Sequence, residues 1–285
     1  KIEMKKLLKI FITIFAKSII NILGKINAGR YCIDELSSAI VNRKKIIKHK
    51  DLKFKFHVPN RLNFFRAETF STKEPETLNW IDTFKKNSIF WDIGANIGLY
   101  SCYAASRANC QVYAFEPSVF NLELLVKNIN INSLSEKIKI IPFPLCEKLS
   151  FNSFNLSNKE WGGAMSNFGT NKDHENLQDL FKYNFNYNTF GLSIDESVKL
   201  LNFPKPNYIK IDVDGIEHLI LKGANETLSN AESVLVEIND EDKKQSEEAQ
   251  EYLKKAGFKL KDKLHSEIIE KSKKFDKFFN QIWIR

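Results

Sequence analysis

The chain has 285 residues, 43% of them hydrophobic and 27% charged, which suits one large globular domain or one domain with an extension. No run of about eighteen apolar residues is free of charge, so no membrane-spanning helix is expected. Residues 1–60 hold 14 Lys/Arg against 4 Asp/Glu; with a net charge of +8 overall, residues 61–285 are left near −2. This argues against a main domain that grips nucleic acid through a basic face. Cys32, Cys102, Cys110 and Cys146 form no C-x-x-C pair and no metal-ligand spacing with the five histidines, which points to reduced core residues and a cytoplasmic chain.

In chain order, residues 5–24, KKLLKIFITIFAKSIINILG, place Lys6, Lys9, Thr13, Lys17 and Asn21 on one helical stripe, with Leu, Ile and Phe elsewhere. Such a helix can lie in a membrane interface with its lysines toward acidic headgroups, or pack on the main domain or another subunit. A second basic helical stretch is expected over residues 34–50. Together these make residues 1–52 a basic, amphipathic helical extension, with the main domain at 53–285. Residues 53–58, KFKFHV, alternate as an edge strand would, and residues 61–70 are its expected partner. Residues 72–84 read as a short helix with Pro75 near its start. From Ile89 onward strands are expected at 89–93, 111–115, 137–142, 207–212, 233–238, 257–262 and 280–284, with helices at 97–106, 118–130, 216–229 and 242–256. That alternation implies a parallel sheet covered on both faces, with the last strands antiparallel. Residues 150–190, rich in Asn and Phe, read as an irregular insertion near the active face.

The segment FWDIGANIGLY ends a short apolar strand in Asp92 and turns through Gly94 and Gly98 into a helix. Glycines there let a ligand approach backbone N–H groups at a helix start. Alone, the pattern also fits an ordinary strand-to-helix turn. The second strand adds Glu116, 24 positions after Asp92, placed to accept both hydroxyls of a ribose. The third glycine of a dinucleotide site is missing from GANIGLYS, and Asp92 would repel a pyrophosphate but can organise an ammonium group. S-adenosylmethionine (SAM), which carries an amino acid in place of phosphates, is favoured over NAD.

WDIGANIGLYS, AFEPS, LSIDE and YIKIDVDGIEHLILKGA, followed by VLVEIN, occur in the order found in FkbM-type methyltransferases, which the chain resembles over roughly residues 70–285. These are class I SAM-dependent enzymes, mostly O-methyltransferases. The resemblance implies an α/β, Rossmann-like class I methyltransferase fold: seven strands, mostly parallel, the last antiparallel. It implies that Asp92, Gly94, Ala95, Asn96 and Gly98 hold the methionine part of SAM, Glu116 and Pro117 the ribose side, and Leu145 and Cys146 the adenine. It also implies a hydroxyl-bearing acceptor, a sugar of a surface glycan or glycolipid. The chain departs from the family in carrying DVDG, with Asp214 where Glu is usual, and its first sixty residues match nothing in it.

Methyl transfer to a hydroxyl requires an aligned acceptor and a group to take its proton. Lys210 and Asp212 point the same way at the end of the fourth expected strand, with His218 on the next helix; these three are the catalytic candidates. Lys210, Asp212 and Glu237 also fit a buried ion-pair network, and Asp214 and Glu217 fit a helix N-terminus. DVDGIEH is oxygen-rich, but without a second cluster no metal ligands are assigned and metal dependence stays open. Residues 159–168, KEWGGAMSNF, read as a mobile lid with Trp161 as an aromatic platform. A nucleic-acid methyltransferase using the basic arm is disfavoured, because no Asp/Asn-Pro-Pro-aromatic motif is present. A non-catalytic, membrane-associated SAM-binding subunit is the remaining alternative.

Overall fold

The structure, a computed structural model, describes residues 2–169, 184–265, 267–270 and 275–285. Two helices open the chain, α1 (Ile2–Leu23) and α2 (Asn27–Val41). A hairpin of β1 (Lys44–His49) and β2 (Leu52–His57) follows, then α3 (Arg61–Glu68), α4 (Phe70–Lys73) and α5 (Pro75–Ile81). Alternation begins with β3 (Ile89–Ile93), α6 (Leu99–Arg107), β4 (Gln111–Phe115), α7 (Val119–Ile131) and β5 (Ile138–Ile141). The insertion carries β6 (Ser150–Leu156), β7 (Ser166–Phe168) and β8 (Phe185–Gly191). The chain closes with α8 (Ile194–Leu201), β9 (Tyr208–Ile211), α9 (Glu217–Lys222), β10 (Ser233–Asn239), α10 (Lys243–Lys255), β11 (Lys259–Leu264), α11 (Glu267–Glu270) and β12 (Phe278–Ile284).

The main sheet has seven strands in the order β11-β12-β10-β9-β3-β4-β5. β10, β9, β3, β4 and β5 run parallel, and β12 lies antiparallel between β10 and β11. This is the Rossmann-like sheet expected of class I methyltransferases. Chain progression reverses between β3 and β9, so their carboxyl ends border a crevice.

Both faces of the sheet are covered, and period-two alternation sorts the side chains between two cores. Phe90, Val112, Ala114, Leu235 and Ile282 join one core. Their neighbours Trp91, Tyr113, Phe115, Val236 and Trp283 join the other. Trp91 and Trp283 are fully buried, and truncating such a side chain typically costs about 3–5 kcal/mol. LSIDE has a local role: the Ser193 hydroxyl accepts from Glu196 N (3.1 Å) and Glu196 accepts from Ser193 N (2.8 Å), a capping box that starts α8.

Four expectations are corrected. Residues 34–50 are not one helix: α2 ends at Val41, and β1 pairs with β2 through a two-residue turn in which Lys50 takes φ 52°. The tight turn and alternating buried positions, with Ile47 and Phe54 in the core, outweigh local helix propensity. Residues 61–70 are helical rather than a strand, because the Asn60 side chain caps α3 by accepting from Asn63 N at 2.8 Å. The insertion is ordered in its described parts: β6 pairs antiparallel with both β7 and β8. The expected helix over 216–229 is short: α9 ends at Lys222, and Gly223, a poor helix former pressed against the Glu147 backbone, takes the C-cap. Among the cysteines, all free, Cys32 is exposed and the other three are buried.

Candidate active site

The glycine turn lies directly after β3. Gly94 adopts φ 85°, and a Cβ there would fall 1.9 Å from the Asp212 carbonyl oxygen, so glycine is demanded by the close approach of β3 and β9. Gly94 N and Ala95 N both donate to the Phe115 carbonyl at 3.0 Å, tying the turn to the end of β4. Gly98, at φ 82°, precedes α6 and packs against Leu125. Asp92 is buried beneath the turn, where its Oδ2 accepts from the Ser101 hydroxyl at 2.5 Å. Burial pushes its pKa up, and the Lys210 ammonium opposes that rise.

Two adjoining cavities open at the carboxyl ends of β3, β4, β9 and β10. The smaller, about 60 Å³, is lined by Glu116, Pro117, Leu145, Phe154 and Ile216 among others. Glu116 Oε2 accepts from Asn96 N (2.7 Å) and Oε1 from Ser118 N (2.8 Å). Burial pushes its pKa up to about 7, against the pull of these backbone donors. The larger cavity, about 260 Å³, carries Arg66, Lys73 and Glu74 on one wall, Lys210, Asp212 and Glu237 on another, and aromatic rings that include Phe65 and Tyr100. Gly94, Asn96, Ala164, Asp212 and Asp214 border both. Asn96 Oδ1, at this junction, is buried and has no partner among the described residues.

Lys210 is fully buried, and its Nζ donates to Asp212 Oδ2 at 2.6 Å. Burial works against its charge, but the carboxylates of Asp212, Asp92 and Glu74 outweigh burial and raise its pKa. Asp212, with its side chain 26% exposed, is the member of this cluster that reaches the junction. Glu237 faces the larger cavity and accepts no hydrogen bond among the described residues; burial, then Asp212 and Glu74, raise its pKa well above the carboxylate range. Glu74 is buried beside Lys73 and Lys210, which outweigh its burial and bring its pKa down to about 2.

A roof of residues 158–168 closes over the smaller cavity. The Gly163 carbonyl accepts from Asn96 Nδ2 (2.8 Å) and Asn121 Nδ2 (3.0 Å), and Gly162 N donates to Asn121 Oδ1 (2.9 Å). Asp214 Oδ2 accepts from Met165 N at 2.7 Å. Burial, reinforced by Asp212, pushes the Asp214 pKa up to about 6. Arg66 Nε donates to the Gly162 carbonyl at 2.9 Å.

The sequence segment that builds this floor decides the family. A model of the methyltransferase FkbM domain matches residues 92–260. The chain belongs to the FkbM methyltransferase family. It is 31% identical over 159 residues to the hexuronic acid methyltransferase AglP of Haloferax volcanii, a match over 56% of this chain and 59% of that protein. A tRNA (guanine(37)-N(1))-methyltransferase of Dictyostelium discoideum is 30% identical over 80 residues, 28% of this chain and 17% of that one. The chain therefore spans less than two thirds of either relative's own length. Among solved structures, precorrin-6y C5,15-methyltransferase from Geobacter metallireducens GS-15 superposes with a TM-score of 0.44 at 12% identity, over 74% of this chain and 86% of that one. M. jannaschii TYW2 in complex with AdoMet gives 0.41 at 15% identity, over 85% and 86%.

Within this FkbM domain the motif residues divide by position. Gly94, Asn96, Glu116, Pro117, Leu145 and Asp212 border the smaller cavity; Ala95 and Lys210 border the larger. Asp92 and Gly98 act from beneath, through the turn and α6. Cys146 is instead a buried residue, its thiol directed at the Lys148 carbonyl, 3.1 Å away. His218 is buried on α9 and lines neither cavity, so the structure does not bring it to the acceptor side. Glu217 closes the turn before α9, accepting from Val213 N and Gly215 N at 3.1 Å and from Gln245 Nε2 at 2.5 Å. Trp161 is an anchor rather than a platform: its indole donates to Glu123 at 3.0 Å. The sequence reading missed Arg66, Lys73, Glu74 and the cavity-facing role of Glu237. For Glu237 the signal was its place at the carboxyl end of a buried strand; for the others no spacing connects α3 and α4 to β9. Among the described residues no three His, Cys, Asp or Glu side chains are grouped to hold a metal ion.

Proposed function

We propose that this chain transfers a methyl group from SAM to a hydroxyl of a sugar in a surface glycan or glycolipid. The observation that carries the reading is Asp212 at the junction of two cavities, one with the donor set for an adenosyl ligand and one able to take an acceptor. The donor set fits SAM. Each oxygen of Glu116 already accepts one backbone N–H and retains capacity toward a vicinal diol. Leu145, Phe154 and Ile216 offer apolar walls to adenine, and the partnerless Asn96 Oδ1 accepts from an ammonium group. The smaller cavity adjoins the larger along Gly94, Asn96 and Asp212, so a ligand seated on Glu116 can extend toward the acceptor side. Bound SAM supplies an electrophilic methyl on a sulfonium.

The chain's own residues do the rest. Lys210 holds one oxygen of Asp212, leaving the other oxygen to accept the hydroxyl proton. Glu237, whose proton affinity burial raises, offers a polar group to the acceptor from the wall of the larger cavity. Arg66 and Lys73 offer cations to an acidic sugar and Phe65 and Tyr100 offer faces to its ring, which agrees with the hexuronic acid named for one relative. The reading is tested by calorimetry with SAM and NAD side by side, then by methyl transfer to uronic-acid glycans with the parent chain and Asp212→Asn. Tighter binding of NAD overturns the cofactor assignment. Transfer to tRNA but not to glycans overturns the acceptor in favour of the tRNA-acting relative's class.

A further inference from the structure

Helix α1 has almost no protein to bury against. From Met4 to Ile22 every side chain the structure describes is exposed, including Leu7 (66%), Phe11 (64%) and Ile22 (66%). Its one substantial neighbour among the described residues is α2. The joint between them is built: a Cβ at Gly29 would stand 2.1 Å from the Leu23 carbonyl oxygen, and Arg30 Nε donates to the Gly24 carbonyl at 2.8 Å, capping α1. α2 adds Tyr31, Leu36 and Ile40 to the exposed apolar surface. No helix among the described residues is long and apolar enough to cross a membrane.

We propose that α1 lies flat in the surface of an anionic phospholipid membrane and docks the enzyme there. Charge selects this occupant. Between Met4 and Asn27 the sequence holds five lysines and no acid. Lys6, Lys9 and Lys17 are exposed along a stripe that covers roughly a third of the helix circumference at 100° per residue. A second copy of α1 brings the same lysines and, apart from Glu3 at its start, no carboxylate to pair with them. A broad apolar arc flanked by lysines fits a lipid slab, where the arc enters the acyl boundary and the amines reach the headgroups. A coiled-coil seam is narrower than this arc.

The test uses the full chain with vesicles of phosphatidylcholine alone and of phosphatidylcholine with about a third phosphatidylglycerol. The parent chain is expected to float with the anionic vesicles, weakly with the neutral ones, and to be released by salt. At about 1 kcal/mol per lysine near the surface, Lys6→Gln, Lys9→Gln and Lys17→Gln together should weaken binding roughly 100-fold. Phe11→Glu with Ile14→Glu should abolish it, with the thermal melt unchanged because these side chains are already exposed. Failure of the parent to bind anionic vesicles overturns the proposal. So does binding that ignores both salt and the lysine substitutions, or a concentration-dependent dimer that Phe11→Glu dissolves while vesicles are ignored. Because the readout is flotation, its failure is independent of whether SAM or a sugar is the substrate.

Discussion

The floor and the roof of the site are held by different forces. The floor is the carboxyl ends of β3, β4, β9 and β10, buried on both faces and spaced by the backbone ladder. Its carboxylates sit where they do because four strands end there, and their proton affinities follow from burial and from one buried lysine. The roof, residues 158–168, is tethered by side chains reaching up from α3, α7, the glycine turn and Asp214. Each tether is a hydrogen bond worth about 1 kcal/mol net. A rigid floor suits reacting groups, and a roof of small, separable contacts suits entry and release of a large ligand.

Substitutions can break this contrast, and the floor should yield the larger effects. Lys210→Met leaves Asp92, Asp212 and Glu74 without their shared cation and should destabilise the fold by about 3–5 kcal/mol, read as a fall in denaturation midpoint. A stable Lys210→Met chain would show that the cluster is not the keystone of the floor. Asp212→Asn keeps the shape and should lower turnover by roughly 10²-fold with SAM affinity nearly unchanged. If affinity falls and turnover does not, Asp212 belongs to the cofactor and not to the acceptor. Glu116→Ala removes the two-point contact to the ribose that we propose, and should weaken SAM binding by about 2–3 kcal/mol, roughly 30- to 150-fold, measurable by calorimetry.

The floor also predicts a pH dependence. Glu217 and Glu116 have folded pKa values raised to about 7, and Asp214 to about 6, all through burial. The native state therefore holds more protons than the unfolded chain at pH values between the ordinary carboxylate range and about 7. These groups stabilise the fold fully at the acid end of that window, and their contribution is lost as pH rises through it. Denaturation across pH 4–8 should show this decline, and Glu217→Gln should flatten it. The smallest effect belongs to the roof. Asn121→Ala removes one of the two donors to the Gly163 carbonyl and the acceptor of the Gly162 amide, and should loosen SAM by about 1 kcal/mol, near 5-fold, through a faster off-rate with the melting temperature almost unmoved.

Legibility followed the same divide. The strands of the main sheet were readable because burial on both faces leaves near-continuous apolar runs such as IFWDI, YIKI and SVLVEI, and their polar ends marked the site. The insertion that carries the roof was not readable as an ordered piece, since Asn-rich strands such as β6 alternate weakly and owe their register to tertiary partners. The first strand of the N-terminal hairpin reads as helix because Lys and Ile tolerate both states, whereas its second strand, KFKFHV, is legible as a strand; the choice for the first falls to Ile47 finding a core beside Phe54.

By itself the sequence determined the alternation of strands and helices, the glycine turn, the acid that ends the second strand and the apolar, lysine-striped first helix. Each follows from local period or backbone freedom, which neighbours in the chain enforce. Only the tertiary structure decided which charged groups share a cavity. Arg66, Lys73 and Glu74 meet Lys210, Asp212 and Glu237 across more than a hundred residues of chain. His218, adjacent in sequence, is turned away because the short α9 packs it into the interior. Distance along the chain does not encode such meetings; the packing of helices α3 and α4 over the strand ends does.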